Sequence, residues 1–87
     1  MTIRYHRRFE RKFRSLPPSL REKTSAAIER FIANPYDPLL RNHALRGRLS
    51  GLRAITVVGD LRIIFEEHQR YVLVLFLDIG THEQMYG

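Results

Sequence analysis

The sequence predicts an α+β fold of order β-α-α-β-β-β, in which an N-terminal strand and a helical hairpin pack on a small, mostly antiparallel sheet. Two observations lead to this prediction. Apolar residues recur at helical spacing in the first third of the chain, and three apolar, β-rich runs separated by turn residues fill the second half. The helices should cover one face of the sheet and leave the other face open for function.

The N-terminal third should form the strand and the first helix. Residues 2–6 are short and tolerate an extended conformation. Phe9, Phe13 and Leu16 then recur at i, i+4 and i+7 with Arg and Lys between them, which predicts an amphipathic helix. The Pro-Pro pair at 17–18 should end this helix, because proline lacks the amide donor that a helix interior needs.

A second helix should follow at once and pair with the first as a hairpin. Ser19 and Glu22 have the spacing of a capping box, which marks a helix start. The helix should end before Pro35, because the residue preceding a proline disfavours helical geometry. The apolar side chains expected to face the sheet are Leu20, Ala27, Ile28, Phe31 and Ile32.

The second half of the chain predicts three strands joined by short turns. The strands are expected at residues 52–58, 61–67 and 71–78. Gly59 and Asp60 should form a tight turn between the first two. The last run is apolar on both faces, which is typical of a central strand. Residues 81–87 should add at most one helical turn.

Composition indicates one basic domain in a reducing compartment. The chain has 87 residues, no cysteine and a net charge of +6. No apolar run approaches the roughly 20 residues that span a bilayer, and residues 1–14 are too charged for a signal peptide. We therefore expect a cytoplasmic protein with no membrane contact. The charge favours an anionic partner such as nucleic acid or an acidic protein, with a merely soluble basic surface as the alternative.

Alternation along the strand at residues 61–67 assigns its side chains to the two faces of the sheet. Arg62 should share one face with Asp60 and Ile64, because successive side chains of a strand point to opposite sides. The residues expected to face the helices are Leu61, Ile63 and Phe65. An arginine among strand apolars is either a functional cation or an exposed edge residue.

Three motifs in the C-terminal half resemble a known toxin family. They are HALRG at 43–47 with GLR at 51–53, VGDLRIIF at 58–65, and DIGTHEQMYG at 78–87. In this order and on these elements they resemble the RelE/ParE toxin superfamily and its YafQ branch, and the overall layout extends the resemblance to essentially the whole chain. The resemblance implies a RelE-like fold.

The same resemblance implies a toxin of a two-gene toxin–antitoxin system. Such toxins enter the ribosomal A site and cut mRNA there without a metal or another cofactor. The implied partners are a cognate antitoxin, the ribosome and mRNA, and operator DNA is bound only through the antitoxin complex. The implied reaction is attack of the 2′-OH on the adjacent phosphate, which needs a base, an acid and cations.

The resemblance assigns roles residue by residue. His82 corresponds to the catalytic histidine of the YafQ branch, and His43 and Asp60 to further active-site positions. Arg62 lies near the arginine that RelE toxins use on the same strand. Imidazole suits proton transfer because its ordinary pKa is about 6.5. The expected substrate-binding residues are Arg46, Arg48, Arg53 and Tyr86.

Structural alternatives remain open for each of these residues. His82 and His43 could be surface histidines, and Asp60 could be an ordinary turn residue. The arginines could form a solvated rim, and Tyr86 could pin the tail to the core rather than stack on a base.

Three departures from the YafQ pattern bear on function. Thr56 replaces a second active-site histidine, Leu61 replaces a tryptophan, and Asp78 replaces an arginine that would help to hold phosphate. Two alternatives to a nuclease stay open. One is a ParE-like toxin that acts on a topoisomerase, because the same fold serves both activities. The other is a catalytically weakened relative that binds antitoxin or RNA, which Thr56 and Asp78 would explain.

Overall fold

Five strands form one sheet in the order β1-β5-β4-β3-β2. The structure is a computed structural model that describes residues 1–86, with the backbone alone for Tyr86. The strands are β1 (Thr2–Tyr5), β2 (His43–Ala44), β3 (Arg53–Val58), β4 (Leu61–His68) and β5 (Leu73–Thr81). The helices are α1 (Arg7–Ser15), α2 (Pro18–Ala33) and α3 (His82–Tyr86), and two 3-10 turns span Pro38–Leu40 and Gly47–Leu49.

This architecture confirms the predicted α+β fold. β1 pairs with β5 in parallel, and the other three pairings are antiparallel. The last strand is interior, as predicted, but β4 rather than β5 occupies the centre of the sheet. β5 starts at Leu73 rather than at residue 71, because Gln69, Arg70 and Tyr71 all have positive φ angles and form the turn, and it ends at Thr81 rather than at residue 78.

Two helix starts differ from their predictions. His6 does not continue β1 but caps α1, since its Nδ1 accepts a hydrogen bond from the Arg8 backbone N–H at 3.0 Å. The capping box predicted at Ser19 is wrong. α2 begins at Pro18 with no side-chain cap, because a proline at the first helical position has its φ already set and lacks an amide to satisfy.

The core lies between the two long helices and one face of the sheet. Phe31 of α2 is fully buried, and its ring centroid lies 5.1 Å from that of Phe65 and 5.7 Å from that of Phe76. Ile32 was expected on the same helix face but is 52% exposed. A residue one position along a helix is rotated by about 100°, so the stripe that includes Ala27 and Phe31 turns Ile32 towards solvent.

The opposite face of the sheet, which we call the far face, is less open than predicted. His43, Ala54 and Ile64 lie side by side on it across β2, β3 and β4, yet Ala54 and Ile64 are buried. α3 lies against this face, because a Cβ added at Gly80 would meet the side chains of Gln84 and Met85. The far face is therefore a partly covered surface.

Candidate functional site

The register of the sheet places Arg62 on the far face. Arg62 pairs with Thr56 of β3 on one side and with Gly80 of β5 on the other. Directly opposed residues project to the same face, so the guanidinium emerges beside Thr56 and over the start of α3. Arg62 shares this face with Ile64, as strand alternation predicts.

The carboxylate of Asp60 joins Arg62 to the start of α3. Its Oδ1 accepts a hydrogen bond from Nη1 of Arg62 at 2.6 Å, and its Oδ2 accepts one from the backbone N–H of His82 at 3.2 Å. The turn at Gly59 and Asp60 brings this about, because Leu61, just after the turn, pairs with Thr81, just before α3. Both oxygens act as acceptors, which favours an orienting role for Asp60 over a proton-carrying one.

Arg62 keeps part of its guanidinium available. Among the described residues, its hydrogen bonds use Nη1 alone, to the Asp60 carboxylate and to the Asp60 carbonyl oxygen at 3.2 Å. The side chain is 23% exposed. A guanidinium has five N–H donors in a planar fork, so Arg62 can hold Asp60 and still bind two oxygens of a phosphate.

His82 is the first residue of α3 and is exposed. Gly80, two residues before it, is not a flexible joint, because it lies within β5 and is buried. Its lack of a side chain matters instead, since a Cβ would lie 2.8 Å from Oε1 of Gln84. His82 is therefore held at a fixed junction between strand and helix rather than on a loose tail.

His43 lies on the same face, two strands away from Arg62. Its Nδ1 is 2.8 Å from the carbonyl oxygen of Arg41, which can only accept, so Nδ1 carries the proton and Nε2 of the neutral ring is an acceptor. Strand spacing and the two-residue offset put the Cα atoms of His43 and Arg62 roughly 12 Å apart. At that separation the side chains of His43 and Arg62 can both contact one bound substrate.

An arginine-edged groove runs beside α3. It has a volume of about 430 Å³ and is lined by Leu45, Leu49 and Met85 together with Arg46 and Arg48. Met85 lies three residues after His82, and residues at that helical spacing are neighbours. The groove therefore adjoins His82, with two exposed cations on an apolar floor.

Arg53 is the one predicted substrate-binding cation that the structure places elsewhere. It pairs with Phe65, whose ring packs on Phe31 of α2, so Arg53 lies on the helix-bearing face. Its Nε donates to Oδ1 of Asn42 at 2.9 Å, and Nδ2 of Asn42 donates to the Tyr71 hydroxyl at 2.9 Å. Arg53 therefore anchors the loop before β2, a role that no sequence motif indicated.

Tyr86 and the three positions that depart from the YafQ pattern differ in their surroundings. The Tyr86 side chain lies outside the described residues. Thr56 lies directly across from Arg62, and Leu61 is a core residue, 7% exposed. Asp78 forms an ion pair with Lys12 of α1, with Nζ 2.8 Å from Oδ1, and its side chain is 15% exposed. The negative charge that replaces a phosphate-binding cation in the YafQ pattern is thus balanced by Lys12.

We expect Lys12→Met to lower the free energy of unfolding by about 1 kcal/mol, because it leaves the shielded Asp78 carboxylate without its cation. Chemical denaturation of the purified protein measures this. Lys23→Met on α2 is the matched control, since Lys23 is exposed and has no ion pair among the described residues. Equal stability of the two variants would show that the Lys12–Asp78 pair contributes nothing.

The described residues, 1–86, contain neither a metal-binding cluster nor a membrane-spanning helix. No group of three His, Asp or Glu side chains in this part of the chain is arranged to hold a metal ion. None of the described helices has the length and apolar character needed to span a membrane.

Solved toxin structures share this fold over nearly the whole chain. YafQ from E. coli is 22% identical, with a TM-score of 0.77 over 99% of this chain and 98% of that one. The YoeB/ParE toxin from Agrobacterium tumefaciens is 13% identical, with a TM-score of 0.77 over 94% and 99% of the two chains. A RelBE toxin–antitoxin complex from Mycobacterium tuberculosis is 23% identical, with a TM-score of 0.64 over 92% and 95%.

The family of this chain follows from its sequence match to a family model. No curated protein matches the chain significantly. The family model for the ParE toxin of the type II toxin–antitoxin system parDE matches residues 3–86. The match spans nearly the whole chain and confirms the resemblance to the RelE/ParE superfamily. The chain therefore belongs to the ParE toxin family and is a toxin of a type II toxin–antitoxin system.

Proposed function

We propose that this toxin is a ribosome-dependent mRNA endoribonuclease that needs no metal ion. One observation carries the proposal. The Asp60 carboxylate binds the guanidinium of Arg62 and the first backbone N–H of α3, so that a phosphate-binding cation and the residue His82 belong to one hydrogen-bonded unit. A cation and an imidazole beside the same phosphate are what RNA cleavage through the 2′-OH requires.

The proposed reaction forms one bond to phosphorus and breaks another. The 2′-oxygen attacks the adjacent phosphorus while its proton passes to a base, and the bond from phosphorus to the 5′-oxygen breaks. The leaving oxygen takes a proton from an acid, which gives a 2′,3′-cyclic phosphate and a 5′-OH. His82 carries one proton, Nε2 of His43 is available as the second site, and Arg62 stabilises the charge on the phosphorane.

The groove beside α3 gives the RNA strand a path to this unit. Arg46 and Arg48 are exposed at its edge, where they can bind backbone phosphates. Arg53 has no part in this path, since it lies on the other face of the sheet. The exposed cations of α1 and α2 add a long-range attraction to ribosomal RNA. They include Arg7, Arg8, Arg11, Arg14, Lys23 and Arg30.

A cognate antitoxin is the partner we propose for the free toxin. Among the similar structures are a DinJ–YafQ complex from E. coli and the RelBE complex. With a net charge of +6, this chain suits an acidic antitoxin segment that folds on binding. Operator DNA would be bound by the toxin–antitoxin complex rather than by the toxin alone. The proposed setting is the cytoplasm, where translating ribosomes lie.

A second candidate function has its own support. The matching family model is that of the ParE toxin rather than of a nuclease family. A ParE-like toxin would arrest growth through a DNA topoisomerase and cut no RNA. The same fold can serve both activities, so the site and not the fold has to decide between them.

Primer extension on cellular mRNA after induction of the toxin separates the two functions. The nuclease predicts new 5′ ends within translated codons in cells that express the wild type, and none with His82→Gln. His68→Gln is the matched control, because His68 is an exposed histidine at the opposite end of β4. Intact mRNA together with altered plasmid supercoiling would establish the topoisomerase toxin instead.

A further inference from the structure

A reciprocal pair of hydrogen bonds closes the start of α3. The backbone N–H of Thr81 donates to Oε1 of Gln84 at 2.9 Å, and the backbone N–H of Gln84 donates to Oγ1 of Thr81 at 3.3 Å. This is the geometry of a capping box, in which two side chains satisfy two amides that a helix start leaves open. His82 lies between the two residues of this capping box, directly after Thr81.

The strand before α3 is adapted to the Gln84 side chain. A Cβ at Gly80 would lie 2.8 Å from Oε1 and 3.5 Å from Cβ of Gln84. Real Cβ atoms essentially never come within 3.0 Å of a neighbour, so Oε1 of Gln84 could not keep this position if residue 80 had a side chain. Gly80 pairs with Arg62, which places this contact beside the proposed phosphate-binding cation.

A third contact comes from the turn between β3 and β4. The amide of His82 donates to Oδ2 of Asp60, while the amides of Thr81 and Gln84 donate within the capping box. α3 has five residues, and a helix of that length has little stability of its own. These contacts, rather than helix propensity, must therefore hold the backbone of His82 in place.

We propose that Gln84 is a positioning residue for His82. It touches no substrate. Its amide oxygen holds Thr81, and through Thr81 it fixes the backbone angle at which the imidazole of His82 leaves the sheet. This inference deepens the proposed nuclease function and rests on it where cleavage is concerned, but the positioning can be measured without any cleavage.

Three variants of the purified toxin, each in its full chain, test the inference. Gln84→Ala removes the accepting oxygen. Gln84→Glu keeps an acceptor at the same place, since capping boxes use either residue. Glu83→Ala is the control on the same helix, at a side chain for which no hydrogen bond or ion pair is found in the described part of the chain. The readouts are amide hydrogen exchange at residues 81 and 82, and kcat and KM for cleavage of mRNA on ribosomes.

We expect Gln84→Ala to speed amide exchange at Thr81 and His82 at least about tenfold, because both amides then open to water more often. We expect kcat to fall about tenfold with KM unchanged, since a small misplacement of a proton-transfer group slows the chemical step and not the binding. Gln84→Glu should restore both values, and Glu83→Ala should change neither.

The outcomes separate this inference from the proposed function. Unchanged exchange in Gln84→Ala would overturn the positioning role, whatever the cleavage data show. Faster exchange with an unchanged kcat would overturn it as well, because the geometry of His82 would then not depend on the box. A wild type that cuts no RNA would remove the proposed function, while the exchange data would still decide whether Gln84 holds the start of α3.

Discussion

Replacing His82 with alanine is expected to slow mRNA cleavage by about 100- to 10,000-fold, the usual contribution of a positioned proton-transfer group. The contact with Asp60 should persist, because it uses the backbone N–H of residue 82, which alanine retains. Single-turnover cleavage on mRNA-programmed ribosomes measures the rate, and thermal unfolding checks the fold. KM should change little, since the imidazole acts mainly in the chemical step.

His68→Ala is the control for this loss. His68 is also exposed, but it lies at the far end of β4 and pairs with Glu66 at 3.2 Å. Its removal should leave the cleavage rate unchanged. A His82→Ala protein that cleaves at the wild-type rate would show that the histidine at the start of α3 is a surface residue, and the role of catalytic histidine would pass to His43 or be lost.

Arg62→Ala is the second change from which we expect a large effect. It should lower kcat about 100-fold, comparable to the loss of one preorganised donor to an anionic transition state. Arg62→Lys should recover only part of this, because a lysine ammonium lacks the planar fork that can bind Asp60 and a phosphate at once. Measured kcat and KM values for the wild type, Arg62→Lys and Arg62→Ala show whether activity falls in that order.

Arg70→Ala is the matched arginine control. Arg70 is exposed in the turn between β4 and β5, at the opposite end of β4 from Asp60 and Arg62, and carries the same charge as Arg62. If Arg70→Ala and Arg62→Ala slow cleavage equally, the effect is one of net charge on ribosome binding rather than of a cation at the phosphate. The structure predicts a loss of kcat for Arg62 alone.

Local patterns were enough to predict the scaffold of this site. The spacing of Phe9 and Phe13 gave α1, and alternation placed Arg62 on the face opposite the helices, as the strand pairings confirm. These predictions succeed because a helix or a strand repeats its contacts every few residues, so a short window contains the information. The same reasoning failed at Ile32, where one residue of register decides between core and solvent.

Contacts between residues far apart in the sequence could not be predicted from such short windows. Lys12 lies 66 positions before Asp78, and neither residue type indicates the other. Asn42 holds Arg53 and Tyr71 through its side-chain amide, although the surrounding loop has no motif for such a network. The three-residue turn at 69–71 has positive φ angles without a glycine to indicate them.

The capping box at the start of α3 is a different case, because its signal is in the sequence. Thr81 and Gln84 have the required spacing, as Ser19 and Glu22 do. Only the first pair forms the hydrogen bonds, since Pro18 starts α2 before Ser19 can cap it. Whether a capping box forms thus depends on the residues beside it. At α3 the neighbouring residue is Gly80, which leaves room for the Gln84 side chain.

A double-mutant cycle on Arg62 and His82 tests most directly whether the two residues serve one phosphate. Cleavage rates on programmed ribosomes are measured for wild type, Arg62→Ala, His82→Ala and the double variant. Residues that act as a unit lose their effect together, so we predict that the double variant is little slower than the slower single variant. Losses that multiply in full, as for two independent sites, would contradict the account.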